Sequence, residues 1–177
     1  MANKQHLIIS AVGPDQVGLV QKISGFINEH KANIEDSKMA VFCGEFAIIM
    51  LIAGLEADLA TIESKQSELA THTGLSVFMR RPSERHYQEA MMPCELIASS
   101  LDHPGIVHRL TSALSELAIN IESMQTKTYS APMSATPMFR FEAHLAVPER
   151  VNLARLRHLL QAIGEEENID IELAIGR

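Results

Sequence analysis

The chain has 177 residues, 46% of them hydrophobic and 21% charged, which fits a globular protein and excludes a disordered one. Its 15 basic and 22 acidic residues leave a formal charge of −7. Both halves share it, with six basic against nine acidic residues over 1–80 and seven against eleven over 93–177. Non-specific nucleic-acid binding runs on bulk positive charge, so neither half suits direct contact with DNA.

In chain order, an apolar run at 7–12 predicts a strand. Leu19, Val20, Ile23, Phe26 and Ile27 then trace one face of a helix over about 16–30. A strand over about 33–42 follows, and Cys43-Gly44-Glu45 turns it into a hairpin with a third strand at 46–53. Leu59, Ile62 and Leu69 mark one face of a second helix, and 75–80 closes the unit as a strand. The stretch 81–92 is polar, flanked by Pro82 and Pro93 and without periodicity, which reads as a linker. Beyond it, strands are expected at 95–101, 121–129, 138–147 and 169–175. One helix there carries Ile106, Val107, Leu110, Ala113 and Leu114, the other Leu153, Leu156, Leu160 and Ile163. Each half reads as βαββαβ, giving an α+β fold with two ferredoxin-like domains at 1–80 and 93–177. Each would be an antiparallel sheet with two helices on one face.

The halves are repeats of one another. Displaced by 87, residues 7–39 fall on 94–126 without a gap, so that Asp15-Gln-Val-Gly18 meets Asp102-His-Pro-Gly105 and Asn33-Ile-Glu35 meets Asn120-Ile-Glu122. The third strands differ, however. Residues 46–53 are apolar on both faces, so the first sheet is expected to pack against another sheet or subunit. Residues 138–145 alternate, with Arg140, Glu142 and His144 on one face, so the second sheet is expected to face water or a polar interface.

Two cysteines, Cys43 and Cys94, are too few for a disulfide framework and read as reduced thiols of a cytoplasmic chain. The longest apolar run, 47–55, is about half of the roughly 18–20 residues that span a bilayer. The first residues carry no signal-peptide pattern.

The candidate chemistry lies where the first strand hands over to the first helix. Asp15 with Gly18 and Leu19, and Asp102 with Gly105 and Ile106, place a carboxylate at the expected helix start and a glycine in its first turn. Free backbone N–H groups there suit a ligand carboxylate, and the missing Cβ permits close approach. The Asp carboxylate can hold an ammonium group. Asn33, followed by Ile34, and Asn120 open the next strand and offer both donor and acceptor. Together these groups suit an α-amino acid. The same residues also fit a plainer role, with Asp capping the helices, Asn filling left-handed turn positions and Gly allowing tight packing.

Asp-x-x-Gly-[Leu/Ile]-Val entering the helix, with Asn-Ile-Glu opening the second strand, resembles the ACT domain twice over. The stretches Asn33-Ile-Glu-Asp-Ser-Lys-Met-Ala40 and Gly44-Glu-Phe-Ala-Ile-Ile-Met-Leu-Ile-Ala-Gly54 resemble the tandem-ACT glycine cleavage system transcriptional repressors. That resemblance implies an amino-acid sensor, with glycine as ligand, that represses by holding an activator protein of the LysR type. Glycine would relieve the hold, without direct nucleic-acid contact, membrane or cofactor, and a homo-oligomer is compatible with it. It carries the ligand-binding positions onto Asp15, Gly18, Asn33, Asp102, Gly105 and Asn120. The first repeat is the expected sensor, and the longer loop 129–137 in the second points to a partner contact.

No catalytic fingerprint is present, so the chain reads as a non-enzyme. His103 and His108 are five apart, awkward for shared metal ligation, and no metal site is expected. His86 and Cys94 have expected structural roles, Met91 and Met92 belong to the linker, and Glu165-Glu-Glu167 reads as a solvated run beyond a helix end. Two alternatives remain. One is an RNA-binding module, since an RRM shares the βαββαβ order, although Glu45 stands where it would carry a basic residue. The other is a detached regulatory subunit of an amino-acid-metabolism enzyme. The charge makes a direct prediction: the pure protein at nanomolar concentration should not shift duplex DNA at physiological salt, where specific binders reach about 10⁻⁸–10⁻¹¹ M. A retarded band would contradict the adaptor reading.

Overall fold

The computed structural model describes residues 4–83, 89–132 and 134–176. The chain divides into two compact units, residues 1–85 and 86–177. The first runs β1 (Gln5–Pro14), α1 (Leu19–Glu29), β2 (Asn33–Phe42), β3 (Glu45–Gly54), α2 (Glu56–Ser64), α3 (Gln66–Thr73) and β4 (Ser76–Arg80). The second runs β5 (Met91–Leu101), α4 (Ile106–Glu116), β6 (Asn120–Ser130), β7 (Pro137–Pro148), α5 (Leu153–Glu167) and β8 (Asp170–Ile175). Met91 and Met92 thus open β5 rather than ending the linker, and His86 with its expected role lies outside the described residues.

Each unit forms a four-stranded, fully antiparallel sheet, in the orders β2-β3-β1-β4 and β6-β7-β5-β8. Successive strand residues point to opposite faces, so alternate positions enter the core. Leu7, Ile9 and Ala11 of β1 pack with Phe46, Ile48, Met50 and Ile52 of β3 under Leu19, Ile23 and Ile27 of α1. Leu96 and Ala98 of β5 and Phe141, Ala143 and Leu145 of β7 lie likewise under Leu110 and Leu114 of α4 and Leu156 and Leu160 of α5. Each large side chain so buried contributes about 1.5–3 kcal/mol. Such layers, helices on one sheet face, complete the expected α+β architecture.

Several boundaries differ from expectation for local reasons. The helix of residues 56–73 breaks in two at Lys65, whose N–H is shared between the carbonyls of Thr61 (3.2 Å) and Ile62 (3.1 Å), a tightened turn. Left-handed backbone falls on Lys31 (φ 57) and Ala118 (φ 55), two residues before the strand asparagines that were expected to fill it. Helix α5 continues through Glu165–Glu167 to Asn168 (φ 55), because Gly164 is a packing residue and not a stop. Those glutamates are not merely solvated: Arg109 of α4 reaches Glu166 at 2.5 Å and Glu167 at 3.9 Å.

At Gly164 an added Cβ would lie 2.6 Å from the Ile169 carbonyl oxygen, where the chain folds back to donate the Ile169 N–H to the Gly164 carbonyl at 2.9 Å. Backbone cannot yield as a side chain can. Gly164→Ala is therefore expected to cost about 1–3 kcal/mol of stability. Denaturant unfolding of the variant checks it, and an unchanged midpoint would contradict it.

Candidate functional site

In both units the first turn is built the same way. Strand β1 ends at Pro14, and the Asp15 N–H donates to the Gly44 carbonyl at the β2–β3 hairpin tip (2.8 Å). Asp102 matches it with a 3.0 Å bond to the Pro137 carbonyl at the start of β7. The helices begin later than expected. Gly18 (φ 92) and Gly105 (φ 100) are the N-caps themselves, in left-handed backbone, and neither helix has a side-chain cap. Asp15 and Asp102 are exposed, three residues upstream, so neither caps a helix. An L side chain pays about 1–2 kcal/mol in this conformation, which is why glycine stands there. Leu19 and Ile106 send their side chains into the core, leaving only backbone to meet a ligand. Around Gly105 lies a shallow depression lined by His103, His108, Thr111 and Phe139.

The asparagines sit elsewhere. Asn33 pairs with Ala53 and Asn120 with Ala146, while the turns adjoin Glu45 and Met138 at the other end of β3 and β7. Eight residues of strand separate the two ends, about 27 Å at about 3.4 Å per residue. Within one unit, therefore, the Asp–Gly turn and the Asn cannot grip the same small molecule.

The two asparagine ends differ in their electrostatics. Asn33 is exposed, and Ile34 beside it is partly buried against the core. A bulge between Ile34 and Asp36 turns Glu35 towards the amino-terminal strand. Its carboxylate meets His6 Nε2 at 2.9 Å and Lys4 Nζ at 3.5 Å. The His6 hydrogen bond, with Lys4 adding to it, holds the Glu35 carboxyl below its usual value. In the second unit Asn120 Nδ2 is buried and has no hydrogen-bond partner, the one such side-chain atom among the described residues. Such an orphan donor costs about 1–3 kcal/mol. One row along the same sheet face, Ser123 pairs with His144 and His144 with Glu95. Glu95 escaped the sequence reading, although the alternation Cys94-Glu95-Leu96 marks it as facing away from the core.

Other candidates fall away. Phe46, the position where an RNA-binding sheet would stack a base, is 1% exposed and belongs to the core. Burial pushes the Cys94 thiol up, away from reactivity, and Cys43 sits exposed at a turn. Among the described residues no group of three or more His, Cys, Asp or Glu is placed to hold a metal ion. No helix there is long and apolar enough to cross a membrane.

The Glu35 cluster yields a titration. A carboxyl with a lowered folded-state value stabilises the fold above the unfolded-state value, and that contribution is lost as pH falls through the folded one. His6→Ala should move the Glu35 titration upward towards the ordinary carboxylate range, as read by NMR. An unmoved Glu35 would contradict the assignment.

The ACT-domain family model matches residues 5–80. The glycine cleavage system transcriptional repressor of Escherichia coli is 24% identical over 168 residues, covering 95% of this chain and 88% of that protein. A UPF0237 protein of Methanocaldococcus jannaschii is 30% identical over 76 residues, 42% of this chain and 84% of that protein. An unknown protein from Galdieria sulphuraria, solved by crystallography, superposes with a TM-score of 0.82 at 28% identity, over 99% of this chain and all of that one (100%). These matches agree with the two repeated βαββαβ units. The chain belongs to the ACT-domain family, as a tandem ACT-domain protein resembling the glycine cleavage system transcriptional repressor.

Proposed function

We propose that this chain is an amino-acid-sensing regulator of transcription in the cytoplasm, with glycine as its ligand, that acts by binding a LysR-type activator protein and not DNA. The reading draws on the repressor relative and on the −7 charge. The observation that carries the ligand is the orphan amide of Asn120. A carboxylate placed there accepts the hydrogen bond that the fold leaves unmade, converting a buried cost into a charge-assisted contact. The row of Ser123, His144 and Glu95 offers a carboxylate for the ammonium group. This assigns the ligand to the second repeat and reverses the sequence-based expectation for the first, whose Asn33 is exposed.

The same sheet face carries Gln125, Lys127, Arg140 and Glu142, with Arg140 and Glu142 joined at 2.6 Å. In this reading it is also where the partner protein docks. A zwitterion arriving on that face changes the surface the activator meets, which is how ligand and partner become coupled. The Asp15–Gly18 and Asp102–Gly105 turns lie at the other end of each sheet and do not share this ligand.

Glycine has about five heavy atoms, and a ceiling near −1.5 kcal/mol per atom limits it to about −7.5 kcal/mol. Its dissociation constant is then of micromolar order at the very best. Calorimetric titration tests the site: Asn120→Ala should weaken glycine binding by about 1–3 kcal/mol, about 5- to 150-fold, with Asn33→Ala unchanged. A loss confined to Asn33→Ala would overturn the site, and no heat for the wild type at tens of millimolar would overturn the ligand.

A further inference from the structure

We propose that the free edge of β8, with the groove between it and α5, is a docking site for an extended basic segment of another protein. Neither glycine nor Asn120 takes part.

Strand β8 pairs with β5 on one side and, among the described residues, with no strand on the other. The Gly176 N–H donates to the Pro93 carbonyl at 2.8 Å, which fixes the phase of the ladder. In an antiparallel pair, residues bonded inward alternate with residues whose N–H and C=O point away. Asp170, Glu172 and Ala174 therefore bond to β5, whereas Ile171, Leu173 and Ile175 offer their backbone groups at the open edge. The strand carries neither Lys nor Pro, residues that commonly guard such an edge.

Side chains on the helix side of the same strand line a groove of about 440 Å³ between α5 and β8. Leu160, Ile169, Ile171 and Leu173 form its apolar floor. Arg157 and Glu165 stand on its helix wall, about 12 Å apart at about 1.5 Å per helical residue, the length of about four extended residues. A strand added to β8 would set its residues opposite Ile171 and Leu173 with their side chains in this groove, because directly opposed residues share a sheet face.

The occupant follows from the other face. There Asp170 and Glu172 alternate with the groove residues, both exposed and in no ion pair among the described residues. Arg140 feels the charge of Glu172 but is bonded to Glu142 at 2.6 Å. An added strand would bring its intervening residues beside these two carboxylates. Lys or Arg there, with Val, Ile or Leu in the groove, completes both faces. The −7 charge of the chain favours the same partner. A second copy pairing through β8 would instead set acid against acid at Glu172. The first unit lacks the two carboxylates: its edge strand β4 carries Ser76, Phe78 and Arg80 at the positions of Asp170, Glu172 and Ala174.

The probe is the peptide acetyl-Val-Thr-Val-Lys-Val-Lys-amide, whose valines fall opposite Ile175, Leu173 and Ile171 when it runs antiparallel to β8. Titrated into the ¹⁵N-labelled full chain, it should shift the amide signals of those three residues and slow their hydrogen exchange. The same peptide with both lysines replaced by glutamate should bind at least about tenfold more weakly. N-methylation of the valine opposite Leu173 should abolish binding, because its N–H is the donor to the Leu173 carbonyl. Asp170→Lys combined with Glu172→Lys should reverse the preference between the two peptides, with circular dichroism confirming the fold. No shift with the lysine peptide at millimolar concentration, or shifts confined to β2, β4 or β6, would overturn the proposal. So would equal binding of the N-methylated peptide or an unreversed preference. Protection of the three amides as the chain alone is concentrated would give the edge to a second copy and equally overturn it.

Discussion

The two-residue period of the central strands governs everything else in this molecule. In β1 and β3, and again in β5 and β7, every second side chain is committed to the core beneath the helices. A slip of one residue would turn Leu7, Ile9, Ile48 and Ile52 out to solvent and bring Ser10 and Glu45 inward, so the register admits no alternative. Everything functional must then be written on what remains: the opposite faces, the strand ends and the turns.

Evolution of the two repeats has filled those remaining positions differently. The open face of the first sheet carries Ile8, Ile49, Leu51 and Phe78, and that of the second carries Glu95, Gln125, Arg140, Glu142 and His144. The cores are equivalent, but one face is suited to excluding water and the other to holding polar molecules. The turns obey a separate constraint. Gly18 and Gly105 reverse the chain in left-handed backbone, which frees the aspartates upstream from any capping duty.

Much of this was legible in the sequence. The displacement by 87 disclosed the duplication, the apolar spacing located the helices, and the contrast between residues 46–53 and 138–145 foretold the unlike sheet faces. The helix starts were misjudged because Asp15 has the residue type of an N-cap but not its geometry, and type alone does not fix φ. Gly164 looked like a stop because glycine commonly ends helices, whereas here it lets the returning chain come close. The site itself was the least legible. Asp15 and Asn33 are 18 positions apart in sequence, yet helix α1 returns the chain to the far end of the sheet, separating two groups that had seemed to converge. Nor does sequence reveal that one asparagine is exposed while its half-buried repeat mate holds its amide nitrogen buried without a partner.

The buried amide of Asn120 is the group on which the ligand reading stands, and its own resonances report on it most directly. In protein labelled with ¹⁵N at asparagine, addition of glycine should shift the Asn120 side-chain NH₂ signals and leave those of Asn33 in place. Glycine-dependent shifts at Asn33 with Asn120 unmoved would contradict the account.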